Sequence, residues 1–277
     1  MSCRYGEGLS FGSSLQGNLP KEVFKAFVGA KVKRAQDGEK LKYWDNWSLA
    51  KPNEETYTSD LLKNGDAQCY NWAALFLDTL RVQGVTYTDV PQGGEPQGYY
   101  PLVRVDPAYT DKFFLIGNKA KPSWKFVDSL GKGNEEKIGD GGRIRSYLYR
   151  NVRANNDDMT SPVMKSFDIE DYIYGNNRHI EPVQDNKGSI QALPAQNNSN
   201  PLAMFGNHAL VFISDTLYDP SYGVAYSGNI IPALESFQKE AIQYFGTFDA
   251  RTKSFYFREP NANELDFKFT RLKYPSQ

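Results

Sequence analysis

Residues 65–84 read GDAQCYNWAALFLDTLRVQG, and their apolar spacing sets the first element of the fold. Ala73, Phe76, Leu77 and Leu80 recur at i, i+3, i+4 and i+7, one face of a helix over about 67–83. Gly84 stands where a left-handed C-terminal cap belongs. Asp66 is the expected N-cap, which places Cys69 at the third helical position. There a thiol feels the positive end of the helix dipole, which favours the nucleophilic thiolate. Its backbone N–H is one of the donors left free at a helix start, available to an oxyanion. Taken alone, the helix leaves two readings equally open: Cys69 as nucleophile, or Cys69 as a buried residue packed beside Trp72 and Phe76.

The partner residues lie in HALVFISDTLYD, residues 208–219. His208–Ile213 is apolar on both faces, the mark of a central strand. A turn at Ser214-Asp215-Thr216 would fold Leu217-Tyr218-Asp219 back as its antiparallel neighbour. His208 then starts one strand and Asp219 ends the next, opposite or diagonal and within side-chain reach. An aspartate so placed can bind one imidazole nitrogen and aim the other at a thiol. The competing histidine, His179, has Asp185 as a possible partner and lies in NNRHIEPVQDN, which reads as an exposed loop.

At these residues the chain resembles the transglutaminase-like, papain-related cysteine enzymes. Gly65-Asp66-Ala67-Gln68-Cys69-Tyr70 with its apolar helix is similar to their nucleophile helix, and Gln68-Cys69 before an aromatic resembles their Gln-Cys-Trp. Asn207-His208-Ala209-Leu210-Val211 followed by Tyr218-Asp219-Pro220-Ser221 resembles their His-strand and Asp-Pro strand, in the same chain order. The resemblance implies an α+β fold with a papain/transglutaminase-like core, a nucleophile helix packed on an antiparallel sheet. It implies Cys69 as nucleophile, His208 as general base and acid, and Asp219 as the orienting carboxylate. Gln68, Trp44 or Trp47 would complete the oxyanion or substrate site. The implied chemistry is thiol hydrolysis or acyl transfer at a peptide or carboxamide bond through a thioester, as in a protease, amidase, deamidase or transglutaminase. Its substrate would be a protein or peptide, and it needs no metal or organic cofactor. The interval between Cys69 and His208 is long for a transglutaminase core, and the papain Cys-Gly-Ser-Cys-Trp signature is absent. Residues 86–206 are therefore expected to be an insertion that shapes the substrate site, within one domain spanning 1–277.

Composition bounds the alternatives. The 277 residues, 40% hydrophobic and 23% charged, are enough for one sizeable core. With 32 basic against 33 acidic residues there is no global field to attract nucleic acid or an anionic membrane. No apolar run approaches the ~20 residues of a membrane span, and MSCRYGEGLSFGSSLQ has no hydrophobic signal core. The expectation is a soluble chain of unassigned compartment, complete or cut from a longer or secreted protein. Two cysteines, Cys3 and Cys69, and two histidines give no disulfide framework and no zinc-ligand spacing. Glycines 131–142 do not follow the phosphate-loop pattern.

Along the rest of the chain, helices are expected over about 20–33, 54–63, 143–151, 163–173 and 230–245. Strands are expected at Tyr100–Val105, Lys112–Ile116, Trp124–Val127 and near 253–257 and 264–272. Tyr43-Trp44-Asp45-Asn46-Trp47 is an aromatic cluster in a polar setting. Residues 184–206, rich in Asn, Gln and Pro, read as an exposed loop, and Asn197-Asn198-Ser199 fits a glycosylation sequon. Two other function classes stand beside the enzyme. One is a non-catalytic binding module on the same scaffold, using the aromatics and the long insertion. The other is an effector or toxin domain of a larger bacterial protein.

Overall fold

The structure is a computed structural model; it describes residues 18–29, 31–43, 58–85, 101–109, 111, 113–117, 124–127, 143–145, 179–182, 193–198, 201, 204–249, 254–258 and 260–272. Among these, the first elements are helix α1 (Leu19–Phe24), the short strand β1 (Lys42–Tyr43), helix α2 (Thr58–Asn64) and the short strand β2 (Asp66–Ala67). Helix α3 follows at Cys69–Val82. It ends as its sequence dictates. Gly84 takes φ +82°, its N–H donates to Arg81 O at 2.8 Å, and Val85 N–H reaches back to Leu80 O at 3.2 Å. Those two bonds are a Schellman cap, which needs a residue free to adopt a left-handed conformation.

The start of α3 differs from expectation. Asp66 does not cap the helix, because β2 pairs in parallel with β1, Lys42 opposite Asp66 and Tyr43 opposite Ala67. Gln68 is the N-cap, in extended conformation, and its N–H donates to the Asn71 side-chain oxygen at 3.3 Å. Cys69 is thus the first helical residue rather than the third.

Strands β3 (Leu102–Pro107), β9 (His208–Ile213), β10 (Thr216–Asp219), β11 (Val224–Ser227) and β14 (Phe267–Leu272) form a five-stranded antiparallel sheet in the order β11-β10-β9-β3-β14. All six residues of β9 are buried, as its unbroken apolar run requires. The β9–β10 hairpin turns through Ser214 (φ +47°) and Asp215 (φ +59°), with Ile213 opposite Thr216. Two left-handed residues in a two-residue loop match the right-handed twist of the flanking strands.

A second five-stranded sheet runs β6-β13-β12-β4-β8. Its members are β4 (Phe113–Ile116), β6 (Arg143–Arg145), β8 (Met204–Phe205), β12 (Ile242–Asp249) and β13 (Ser254–Arg258). A separate pair joins β5 (Trp124–Val127) to β7 (His179–Pro182). Helix α4 (Ile230–Ala241) leads directly into β12.

The first sheet is covered on both faces. On one, α3 packs along β9, with Phe24, Phe76 and Tyr218 in mutual ring contact at 4.8–5.2 Å. On the other, Phe237 of α4 lies 5.6 Å from Phe267, and Phe114 and Phe245 of the second sheet each lie 5.0 Å from the same ring. Each fully buried aromatic contributes on the order of 2 kcal/mol by leaving water. The mixture of few helices with antiparallel sheets is α+β.

Several local expectations are corrected. Residues 242–245 are strand, not the end of a helix, because Ile242, Tyr244 and Phe245 pair with Ile116, Leu115 and Phe114. Arg143–Arg145 is likewise strand, paired with Ser254–Tyr256; the rest of 143–151, and 163–173, lie outside the described residues. His179 is in a strand opposite Val127, while Asp185 lies outside. The described parts of residues 86–206 contribute strands to both five-stranded sheets. β3 lies between β9 and β14 in the main sheet, and β4 is flanked by β12 and β8 in the second. Residues 195–198 are not exposed either: Ala195 and Gln196 are buried. The Asn197 amide of the sequon is engaged with Val32 O and Leu41 O at 2.7 and 2.6 Å.

Candidate active site

Antiparallel register places His208 and Asp219. Tyr218 pairs with Val211; one residue further along β10, Asp219 falls diagonal to His208 on the same face. Asp219 Oδ2 lies 2.9 Å from His208 Nε2. Asp219 Oδ1 accepts the backbone N–H groups of Ser221 (3.1 Å) and Tyr222 (3.3 Å). This is a side-chain turn that the Asp-Pro-Ser-Tyr sequence favours. Proline supplies no N–H, so the next two amides carry the carboxylate.

His208 is 0% exposed and Asp219 1%. The imidazole stacks on Phe237 at 6.1 Å and 12°, with Phe205 at 5.4 Å and Tyr222 edge-on at 5.9 Å. Rings on these sides fix its plane. Burial by itself would pull His208 below its ordinary 6.5. The charge and hydrogen bond of Asp219, aided by Cys69, outweigh it and push His208 up to about 10. The net effect favours the protonated ring.

Cys69, the first residue of α3, is 3% exposed and makes no disulfide. It lies near enough to His208 to help hold its proton. His208 Nδ1 has no hydrogen bond of full geometry among the described residues, so this nitrogen is the one left for the thiol. As first helical residue, Cys69 also offers a backbone N–H with no intrahelical acceptor. The structure thus brings Cys69, His208 and Asp219 to one place. Gln68 is half-buried and, as the N-cap of α3, immediately precedes Cys69 in sequence. Trp44 and Trp47 lie outside the described residues.

Sequence reasoning missed a group of tyrosines around the three. Tyr222 is raised well above its ordinary value, first by burial, then by the nearby charges of Asp219, Cys69 and Tyr226, while a hydrogen bond to Tyr43 pulls the other way. Its ring meets that of Tyr43 at 5.4 Å. Tyr70, next to Cys69 in sequence, is raised by burial and then by Cys69, and Tyr226 by burial and then by Asp219. With their values raised, Tyr70, Tyr222 and Tyr226 stay protonated near neutral pH and are hydrogen-bond donors rather than bases. The available signal was Tyr222 following Asp219-Pro220-Ser221, and Tyr43 heading the aromatic cluster.

Among the described residues no group of three or more His, Cys, Asp or Glu side chains could hold a metal ion, and no helix is long and apolar enough to cross a membrane. No protein-family model matches the sequence, and neither a curated protein nor a solved structure is recognisably similar to it.

Proposed function

We propose that this chain is a cysteine-dependent hydrolase or acyltransferase of the transglutaminase-like, papain-related kind, acting on a peptide or carboxamide bond. One observation carries the reading. A buried imidazole is fixed by a carboxylate on Nε2, has its other nitrogen without a full hydrogen bond, and lies against a thiol at a helix start. Such an arrangement sets thiol, imidazole and carboxylate in the order that thiol acyl-transfer chemistry uses.

In this reading the Cys69 sulfur attacks the carbonyl carbon and forms the S–C bond. The carbonyl electrons move to oxygen, where the Cys69 N–H stabilises the charge. His208 then gives its proton to the nitrogen as the C–N bond breaks, and the amine leaves. Water or a second amine attacks the thioester carbonyl while His208 takes up the attacker's proton; the C–S bond then breaks, the acid or new amide leaves, and the thiolate is regenerated. Asp219 keeps the ring in one orientation through both halves. Papain-like core geometry, and a protein or peptide as substrate, belong to the same proposal.

The near-complete enclosure of Cys69 and His208 is what a rival reading, a non-catalytic module with a structural His–Asp pair, rests on. Thiol chemistry separates the two. In a Cys3→Ser background, Cys69 is expected to react with iodoacetamide at about pH 6 at least about tenfold faster than in His208→Asn, one pKa unit of activation. Equal rates in two folded proteins would remove the imidazole from the mechanism. An amidase, protease or transamidase activity of the pure protein that survives Cys69→Ala would refute the reading outright.

A further inference from the structure

Gln196 lies far from Asp219 in sequence, yet its bonds end on the residues that follow it. It is 0% exposed, in a turn closed by Ala195 N–H to Asn198 O at 2.9 Å and Asn198 N–H to Ala195 O at 3.2 Å. Its side-chain Nε2 donates to Pro220 O at 2.9 Å and to Phe27 O at 2.8 Å, and its Oε1 accepts Val32 N–H at 3.4 Å. Its backbone N–H donates to Ser221 O, 2.9 Å, and its carbonyl accepts Tyr43 N–H, 2.8 Å. Every polar group of this buried residue is engaged.

The pattern around Asp219 is reciprocal. The N–H groups of Ser221 and Tyr222 hold its Oδ1, while the carbonyls of Pro220 and Ser221 are held by Gln196. Gly223 N–H closes the same turn on Asp219 O at 2.8 Å. Phe27 O, the second acceptor of Gln196, lies 2.2 Å from where a Cβ on Gly223 would sit. One amide therefore clamps this turn to the segment after α1. The acceptor set excludes a carboxylate: two carbonyls face Nε2, and an oxygen there would leave both buried without a donor.

We propose that Gln196 is the positioning residue that sets the Asp219 carboxylate against His208. The inference rests on the catalytic reading of Cys69, His208 and Asp219. Gln196 touches no reacting atom; it fixes the backbone that fixes the carboxylate.

A double-mutant cycle of the isosteric Gln196→Glu with Asp219→Asn, in a Cys3→Ser background, tests it. The measured quantity is the iodoacetamide alkylation rate of Cys69 between about pH 5 and about pH 8, a range in which His208 of the unaltered protein keeps its charge, with thermal melts to establish folding. Gln196→Glu is expected to slow alkylation by about fivefold when Asp219 is present and by less than about twofold in Asp219→Asn, as coupled sites do. A purely structural residue would give the same loss in both backgrounds, and that result, or no loss at all, overturns the proposal. If Asp219→Asn alone leaves the rate unchanged, the triad reading fails and takes this inference with it. Should Gln196→Glu not fold, hydrogen exchange on the unaltered chain decides. The Gln196 side-chain amide protons should exchange in the same opening event as the Ser221 and Tyr222 N–H groups, and faster exchange at Gln196 overturns the clamp.

Discussion

Replacing Asp219 by Asn removes the charge that His208 depends on while keeping an oxygen that can still accept the Ser221 and Tyr222 N–H groups. In the unaltered protein His208 sits at about 10 against an ordinary 6.5. A group raised on folding contributes stability that is fully present below the unfolded value and lost as pH climbs through the folded one. Stability from this residue therefore falls between 6.5 and about 10, by at most about 1.4 kcal/mol per pH unit. In Asp219→Asn the main raising influences vanish, and burial, which lowers the value, decides. His208 then stays neutral at pH 7, and its contribution is present above 6.5 and lost on acidification. Over two pH units within that window the gap between the proteins should shrink by about 3 kcal/mol. Urea unfolding followed by tryptophan fluorescence at stepped pH measures it. A Cys69→Ser background is needed so that the thiol does not titrate in the same window. The unaltered protein should lose stability relative to the variant on going alkaline, and the variant should lose it relative to the unaltered protein on going acid. Parallel curves from acid to alkaline pH would mean that His208 is not held as a charged partner of Asp219, and the ion-pair argument would collapse.

Two further perturbations probe the scaffold around the site. Gly223→Ala should destabilise the fold by more than about 2 kcal/mol in urea titration, since φ +69° and a Cβ position 2.2 Å from Phe27 O leave no room for a side chain; a neutral result would mean that the two segments do not approach this closely. Ser214→Asn with Asp215→Gly should raise the free energy of unfolding by roughly 1 kcal/mol, because both positions are left-handed and the Asn-Gly pair suits that turn without penalty; a loss of stability would show that the native side chains bond something the substitutions remove.

What the sequence disclosed and what it hid divides along a physical line. Local periodicity and turn chemistry depend on residues a few positions apart, and there the reading was close. The α3 face, the Gly84 cap and the Ser214-Asp215 hairpin all follow from such patterns. His208 meets Asp219 because a two-residue hairpin has only one register once its turn is set, so that contact too was encoded locally. The N-cap went astray because Asp66 has good capping chemistry but is taken up by pairing with Lys42, a contact no window around residue 66 contains. Tertiary pairing likewise drew 242–245 into a strand and placed β3 inside the main sheet.

Residues 195–198 show the limit most clearly. Asn, Gln and Pro in a row signal a solvated loop because buried amides are costly without partners. The partners exist here, but they are main-chain groups at Phe27, Val32, Leu41, Tyr43, Pro220 and Ser221. A carbonyl carries no side-chain signature, so nothing in those positions marks them as acceptors. Side chains that speak to side chains, such as His208 to Asp219, leave a pairing in the sequence; side chains that speak to backbone leave only half of one. By that argument Gln196→Leu, close in size but without polar atoms, should cost more than a solvated loop residue could. The loss should approach the several kcal/mol of three stranded main-chain groups, Phe27 O, Pro220 O and Val32 N–H, less whatever water replaces, and a change within about 0.5 kcal/mol would return the segment to the surface.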